Sequence, residues 1–298
     1  MDSYRGWVRP GPVPPGDGAG DPPVEDGESL DFLCGHWRIF QYERGHRYST
    51  DDVLCAFYAS TWAPRVERAL DLGSGIGSVA MIVAWRLPGA TMVTIEAQAA
   101  SLRIARKSVR YNGVADRFTV LEGDLRDDAV LARATHAVDE RGFDLVTGSP
   151  PYWPVKSALA SAHDQAVGAR LETRGDVVDY ARSAAKVLAP GGVFACVHQL
   201  SQDERVRDAL ERADLVLLRM RPVHFKEGVP ENGCGLYLAA RRADVPHTFP
   251  SRAGVVDGKP VIEPPLVIRR ADGSVHPEYA TIRLSFGFPP GDVAALST

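Results

Sequence analysis

No run of about 18 apolar residues occurs in the 298-residue chain, so no membrane-spanning helix is expected. The first residues lack a basic-then-apolar pattern, so no secretory signal is expected there. Cysteine is scarce: four stand at 34, 55, 196 and 234, and none forms a C-x-x-C pair. A disulfide framework or a zinc site is therefore unexpected, and a reducing cytoplasm fits best. A strong charge of either sign is also missing. The net charge is −4, which argues against wholesale attraction to nucleic acid. That charge is uneven: residues 1–31 hold seven acids against Arg5 and Arg9, a net of −5 that leaves the remainder near +1. Any RNA contact would need a local patch rather than a global field.

What is present is a strongly partitioned chain. Residues 9–28 are rich in Pro, Gly and Asp, with few large apolar side chains. Such a segment cannot bury enough surface to offset its ordering entropy, so residues 1–28 are expected to form a disordered tail. From about residue 66, strand and helix patterns alternate. E-R-A-L-D-L-G (67–73), T-M-V-T-I-E (91–96), F-T-V-L-E-G-D (118–124), F-D-L-V-T-G (143–148) and V-F-A-C-V-H-Q-L (193–200) read as strands, as do 215–220 and 235–241. Segments 79–87, 99–113, 176–188 and 202–213 read as helices. This alternation predicts an α/β fold with a doubly wound, mostly parallel sheet over residues 29–241. Residues 242–298 are expected to be an extended segment packed on that body, with one strand at A-T-I-R-L-S-F (280–286).

The first strand runs into D-L-G-S-G-I-G (71–77). Glycines at 73, 75 and 77 permit a tight turn and a close ligand approach. A dinucleotide enzyme would have G-x-G-x-x-G facing a pyrophosphate. Here the spacing is G-x-G-x-G, and Asp71 beside it would repel a pyrophosphate but would receive an ammonium. Glu96 ends the next strand, where it can accept from ribose hydroxyls. Asp124 ends the third, where it can accept from an adenine amino group. S-adenosylmethionine offers all three partners and no phosphate.

The fourth strand runs into G-S-P-P-Y-W-P (148–154). Each proline fixes φ and lacks an N–H, and Ser149 is biased to an extended conformation. Carbonyls of such an elbow cannot all join a ladder and can face a pocket at the carboxyl edge of the sheet. Ser149 Oγ and the Pro150 carbonyl would then accept from a planar amine stacked on Tyr152. That is catalysis by positioning, which needs no strong base. Trp153 could stack on a flipped base or belong to the core.

With the S-P-P-Y elbow and the run F-Q-Y-E-R-G-H-R-Y-S-T-D-D-V-L-C-A (40–56), the chain resembles class I S-adenosylmethionine-dependent methyltransferases with an (N/D/S)-P-P-(Y/F/W) motif. The run at 40–56 resembles the N-terminal segment of bacterial tRNA(adenine-N6)-methyltransferases. The resemblance covers residues 38 to about 241, with a weaker echo in P-P-L-V-I-R-R-A-D-G (264–273). It implies a Rossmann-like, seven-stranded sheet with a reversed last strand, and methylation of adenine N6 in tRNA. By carry-over, Gly73, Gly75 and Gly77 line the cofactor and Asp71 stands beside its amino-acid end. Glu96 holds the ribose and Asp124 the adenine. Thr50 and Asp51 cap the methionine end, and Ser149, Pro150, Pro151 and Tyr152 hold the target amine. No metal is implied.

Ser149 departs from the Asn or Asp usual in adenine-N6 enzymes. S-P-P-Y also occurs in DNA cytosine-N4 methyltransferases, and related N-P-P-Y enzymes methylate protein glutamine and small amines. A small-molecule or protein acceptor therefore stays open beside RNA. Arg103, Arg106, Lys107 and Arg110 share one helix face, either solvated or phosphate-binding. Arg44, Arg47, Lys156, His163, Arg170 and Arg174 are candidates for substrate contact.

Overall fold

The computed structural model describes residues 3–4, 6–15, 22–63, 65–152, 175–245, 255–256 and 259–288. Two antiparallel pairs come first, β1 (Ser3–Tyr4) with β2 (Trp7–Val8) and β3 (Glu28–Cys34) with β4 (Trp37–Tyr42). Helix α1 (Thr50–Trp62) follows. It is nucleated by a capping box in which Ser49 and Asp52 each satisfy the other's backbone N–H.

The alternating body then runs β5 (Arg68–Leu72), α2 (Ser78–Arg86), β6 (Thr91–Glu96), α3 (Ala99–Tyr111), β7 (Phe118–Glu122) and α4 (Asp128–His136). It continues through β8 (Phe143–Gly148), α5 (Val177–Val187), β9 (Leu188–Gln199), α6 (Asp203–Arg212), β10 (Leu215–Lys226) and β11 (Gly233–Arg241). The sheet order is β10-β11-β9-β8-β5-β6-β7. Strands β5 to β9 are mutually parallel, and β11 is antiparallel to both its neighbours. The seven expected strands, one of them reversed, are present as the body of a ten-stranded sheet.

Alternate strand residues point to opposite faces and build two cores. Ala69, Met92, Leu145 and Val193 pack with α1, α2 and the β3–β4 pair. Leu70, Val93, Val146 and Phe194 pack with α4, α5 and α6. Helices cover both faces, which is why the strands read as continuous apolar runs.

The C-terminal segment widens the sheet. Strands β13 (Lys259–Ile262) and β14 (Leu266–Arg269) pair parallel with β10, and β12 (Val255–Val256) pairs antiparallel with β13. The strand expected at 280–286 is instead α7 (Pro277–Ser285). Pro277 stands in the first turn, and the His276 side chain caps the helix by accepting from Glu278 N. Tyr279, Ala280 and Ile282 are buried. The alternating letters of A-T-I-R-L-S-F resemble a strand only when the cap before them is ignored.

The acidic N-terminal stretch also has a structural role. Lys107 Nζ donates to Glu28 Oε2 at 2.5 Å, Glu25 Oε1 at 3.1 Å and the Pro23 carbonyl at 2.6 Å. Arg103 pairs with Glu25 and Glu28. The α3 face expected to be solvated or phosphate-binding is thus half occupied by carboxylates, while Arg106 and Arg110 stay exposed. Arg9 donates to the Gly35 carbonyl at 3.0 Å. Parts of the segment expected to be disordered therefore have places on the body.

Side chains of Lys107 and Glu28 are 4% and 0% exposed, so this pair cannot fall back on water. Glu28→Ala should lower stability in urea unfolding by about 3 kcal/mol, because a buried cation loses its nearest anion. Lys107→Met should cost less, since Glu28 keeps Arg103, whereas Lys107 in Glu28→Ala keeps only the half-exposed Glu25 carboxylate and the Pro23 carbonyl. Equal losses would show that the two partners are not unequally buffered.

Candidate active site

Strands β5 and β8 lie side by side in the sheet centre, with Asp71 opposite Thr147 and Leu72 opposite Gly148. The glycine loop and the proline elbow therefore leave the same edge at the same level. Between them is a cavity of about 360 Å³, lined by Asp71, Gly73, Gly75, Glu96, Ser149 and Tyr152 among others. That size suits a small ligand.

Asp71 is 2% exposed. Its Oδ1 accepts from Thr147 Oγ1 at 2.8 Å, and its Oδ2 has no hydrogen-bond partner among the described residues. Burial pushes its carboxyl up to about 7. Ser74 Oγ is likewise buried and unpartnered. Gly73, Gly75 and Gly77 adopt φ of +58°, +55° and +85°, which only glycine adopts without strain. The Tyr180 hydroxyl stands where a Cβ on Gly73 would be, and a Cβ on Gly75 would meet only open space. An orphaned buried carboxylate oxygen beside an open glycine cradle fits a ligand carrying an ammonium.

Glu96 is buried at the end of β6. It accepts from Gly75 N at 2.8 Å and Gln98 N at 2.6 Å, and so fixes the loop while lining the cavity. Asp124 does not line the cavity, although Gly123 and Leu125 beside it do. Its carboxylate accepts from Arg126 N and Nε, each at 2.9 Å, and pairs with Arg126 Nη2 at 2.5 Å.

The start of α1 forms another wall. Thr50 heads the helix without lining the cavity, whereas Ser49, Asp51 and Asp52 line it. Asp51 Oδ2 accepts from Tyr152 OH at 2.9 Å, and burial pushes its carboxyl up to about 6. Asp52 accepts from Ser49 N and Ser78 Oγ, each at 3.1 Å, linking the cap of α1 to the start of α2. Pro150, Pro151 and Tyr152 line the cavity with Ser149. Trp153, Lys156, His163, Arg170 and Arg174 lie outside the described residues. Arg47 lines the cavity while donating to Asp31 at 2.8 Å and Ser29 at 3.0 Å, and Arg44 does not line it. Among the described residues, no cluster of three or more His, Cys, Asp or Glu is arranged to hold a metal ion.

Sequence reasoning missed Asp52 and Tyr180. Asp52 was detectable three residues after Ser49, as a capping box. Tyr180 is buried on α5, and its ring fills the space a side chain at Gly148 would need. Nothing in its sequence context separates it from an ordinary core aromatic.

A parallel, doubly wound sheet with a reversed strand beside β9 is the Rossmann-like architecture of class I methyltransferases. A solved structure from Agrobacterium tumefaciens, described as a predicted O-methyltransferase, shares this fold with a TM-score of 0.57 and 21% identity, covering 82% of this chain and 100% of that one. Residues 51–216 match the methyltransferase small domain, and the chain belongs to that family. It is 26% identical to the tRNA1(Val) (adenine(37)-N6)-methyltransferase of Porphyromonas gingivalis over 80% of this chain and 88% of that one. It is 28% identical to the release factor glutamine methyltransferase of Gloeobacter violaceus over 63% and 68% respectively. The protein is an S-adenosylmethionine-dependent methyltransferase.

The raised carboxyl of Asp71 has a consequence for stability. The folded protein holds that proton up to about pH 7, whereas an unfolded aspartate releases it near ~3.9. The ligand-free fold should therefore lose stability as pH rises from about 4 to 7. Asp71→Asn should unfold at a higher urea concentration than wild type at pH 8, with the gap reduced by more than half at pH 5 and closed near pH 4. A wild-type to variant difference independent of pH would contradict the burial argument.

Proposed function

We propose that the enzyme methylates the exocyclic amine of a nucleobase in tRNA, with adenine N6 as the target chemistry. The observation that carries this reading is the β5–β8 register, which brings the Ser149–Tyr152 elbow beside Asp71 and the glycine loop. S-adenosylmethionine supplies the methyl group when bound. In this proposal Gly73, Gly75 and Gly77 leave room for it, Asp71 receives its ammonium, and Glu96 accepts from its ribose. Asp124 accepts from its adenine once Arg126 yields that carboxylate, and Thr50 and Asp51 close the methionine end.

The acceptor half needs no strong base. Ser149 Oγ and the Pro150 carbonyl accept from the two amine hydrogens and hold the nitrogen lone pair toward the donor. Tyr152 supplies the stacking face. Orientation and exclusion of water are the catalytic devices. The setting proposed is the cytoplasm. All four cysteines are buried and free, and no described helix is long and apolar enough to cross a membrane.

A second reading is methylation of an amide or amine on a protein side chain or small molecule. Two observations favour it. Ser149 is a shorter anchor than Asn or Asp, and Arg47 and Arg103 are already paired with carboxylates. The relative named for release factor glutamine supports the same chemistry on an amide.

The test is nucleoside mass spectrometry of unmodified tRNA treated with the enzyme and labelled S-adenosylmethionine. One labelled N6-methyladenosine is expected, and unlabelled tRNA with a labelled metabolite or protein would transfer the reading to the second acceptor class. Tyr152→Ala should lower turnover about 100-fold or more through lost orientation, with cofactor affinity near wild type. A collapse of cofactor affinity would place Tyr152 in the wrong half of the site.

A further inference from the structure

Beyond Gly148 the chain enters two consecutive prolines, which have no N–H to give. The elbow cannot be fastened by a ladder there. Tyr152 supplies handles through its carbonyl and side chain, and its three contacts come from residues that the proposed chemistry does not use or uses elsewhere. The Tyr152 hydroxyl donates to Asp51 at 2.9 Å. The Tyr152 carbonyl accepts from Gln202 Nε2 at 2.8 Å. The Tyr152 ring packs 5.1 Å from the His198 ring, tilted by 57°.

Gln202 does more than hold one carbonyl. Its Oε1 accepts from Arg205 Nη1 at 3.1 Å, and Arg205 Nη2 donates to Asp176 Oδ2 at 2.9 Å. Asp176 caps α5 by accepting from Val178 N and Asp179 N. One relay of side chains thus joins Tyr152, beyond the end of β8, to Asp176 at the start of α5. Helix α5 carries Tyr180, which lines the same cavity.

His198 is the second unused group. It is fully buried, and neither ring nitrogen has a partner in good hydrogen-bond geometry among the described residues, although backbone groups of Gln199 and of Pro151 in the elbow lie close to the ring. Burial pushes it down to about 4, so it stays neutral. A buried polar group without a well-formed hydrogen bond is destabilising, so a phenylalanine of similar shape would serve packing alone better.

We infer that Gln202 and His198 are positioning residues for Tyr152. Gln202 consumes the Tyr152 carbonyl, which leaves the carbonyls nearer Ser149 to face the acceptor, and His198 sets the tilt of the stacking ring. This rests on the proposed stacking role of Tyr152.

The test uses the full chain with 3-fluorotyrosine installed at position 152, as wild type and as Gln202→Glu, Gln202→Met and His198→Phe. Gln202→Glu keeps the acceptor for Arg205 and removes the donor to Tyr152. The fluorine resonance should shift or broaden in all three variants. S-adenosylmethionine Kd should stay within about twofold, while kcat on unmodified tRNA falls roughly tenfold or more, the signature of lost orientation rather than lost binding. His198→Phe should unfold no earlier than wild type. An unmoved fluorine line overturns the inference, and so does a moved line with kcat within about twofold of wild type. If wild type methylates no tRNA, the nucleobase reading fails, and the fluorine line alone decides for or against positioning.

Discussion

The site depends on one pairing in the centre of the sheet, Asp71 of β5 opposite Thr147 of β8. The Thr147 hydroxyl donates to Asp71 across that register at 2.8 Å. One residue further on, both strands stop being strands: β5 becomes a glycine turn and β8 becomes a proline elbow. A register slip of one residue would turn Asp71 and Thr147 to opposite faces and separate the two loops. Burial of the flanking Leu70, Leu72, Leu145 and Val146 on alternate faces is what forbids that slip. The geometry of the cavity is therefore set by core packing rather than by the loops themselves.

That explains why much of the fold and part of the site were legible in the sequence. Strands β5, β6, β8 and β9 are buried on both faces, so they appear as apolar runs, and the loops at their ends carry glycine, acid and proline in fixed order. Legibility failed where a local pattern was weak or a long-range partner decided. The β3–β4 pair and α1 precede the alternating body, and only the capping box at Ser49 and Asp52 announces the helix. The last helix was misread because period-two letters at 280–286 outweighed a proline start signal at 277. The basic face of α3 appeared free because its carboxylate partners lie about 80 residues earlier in a segment whose composition argues against order. Gln202, His198 and Tyr180 were invisible as site residues, since what makes them notable is the unsatisfied or shared polar group beside them.

The electrostatics of the cavity follow from the same architecture. Asp51, Asp52, Asp71 and Glu96 all line it, and Asp52, Asp71 and Glu96 are buried. Three of them are answered by backbone or hydroxyl donors: Glu96 by Gly75 and Gln98, Asp52 by Ser49 and Ser78, and Asp51 by Tyr152. Asp71 is answered on one oxygen only. Carboxylates of this kind are unfavourable in an empty fold, and they are placed where a cationic ligand would relieve them. A pyrophosphate in this cavity would meet four acids, which is the electrostatic reason that a glycine loop here does not belong to a dinucleotide enzyme.

Tyr152 brings the halves together. Its hydroxyl reaches α1, its carbonyl reaches Gln202 at the start of α6, and its ring rests on His198 at the end of β9. The residue proposed to stack on the acceptor thus also ties α1 to α6 and to the end of β9. A proline elbow loses the backbone N–H groups that normally fasten a loop. The same loss frees its carbonyls for a substrate amine, so side chains must take over the fastening. The need for free acceptors and the need for a rigid elbow conflict on the backbone, and the conflict is resolved by holding Tyr152 from three sides while Ser149 and the prolines line the cavity.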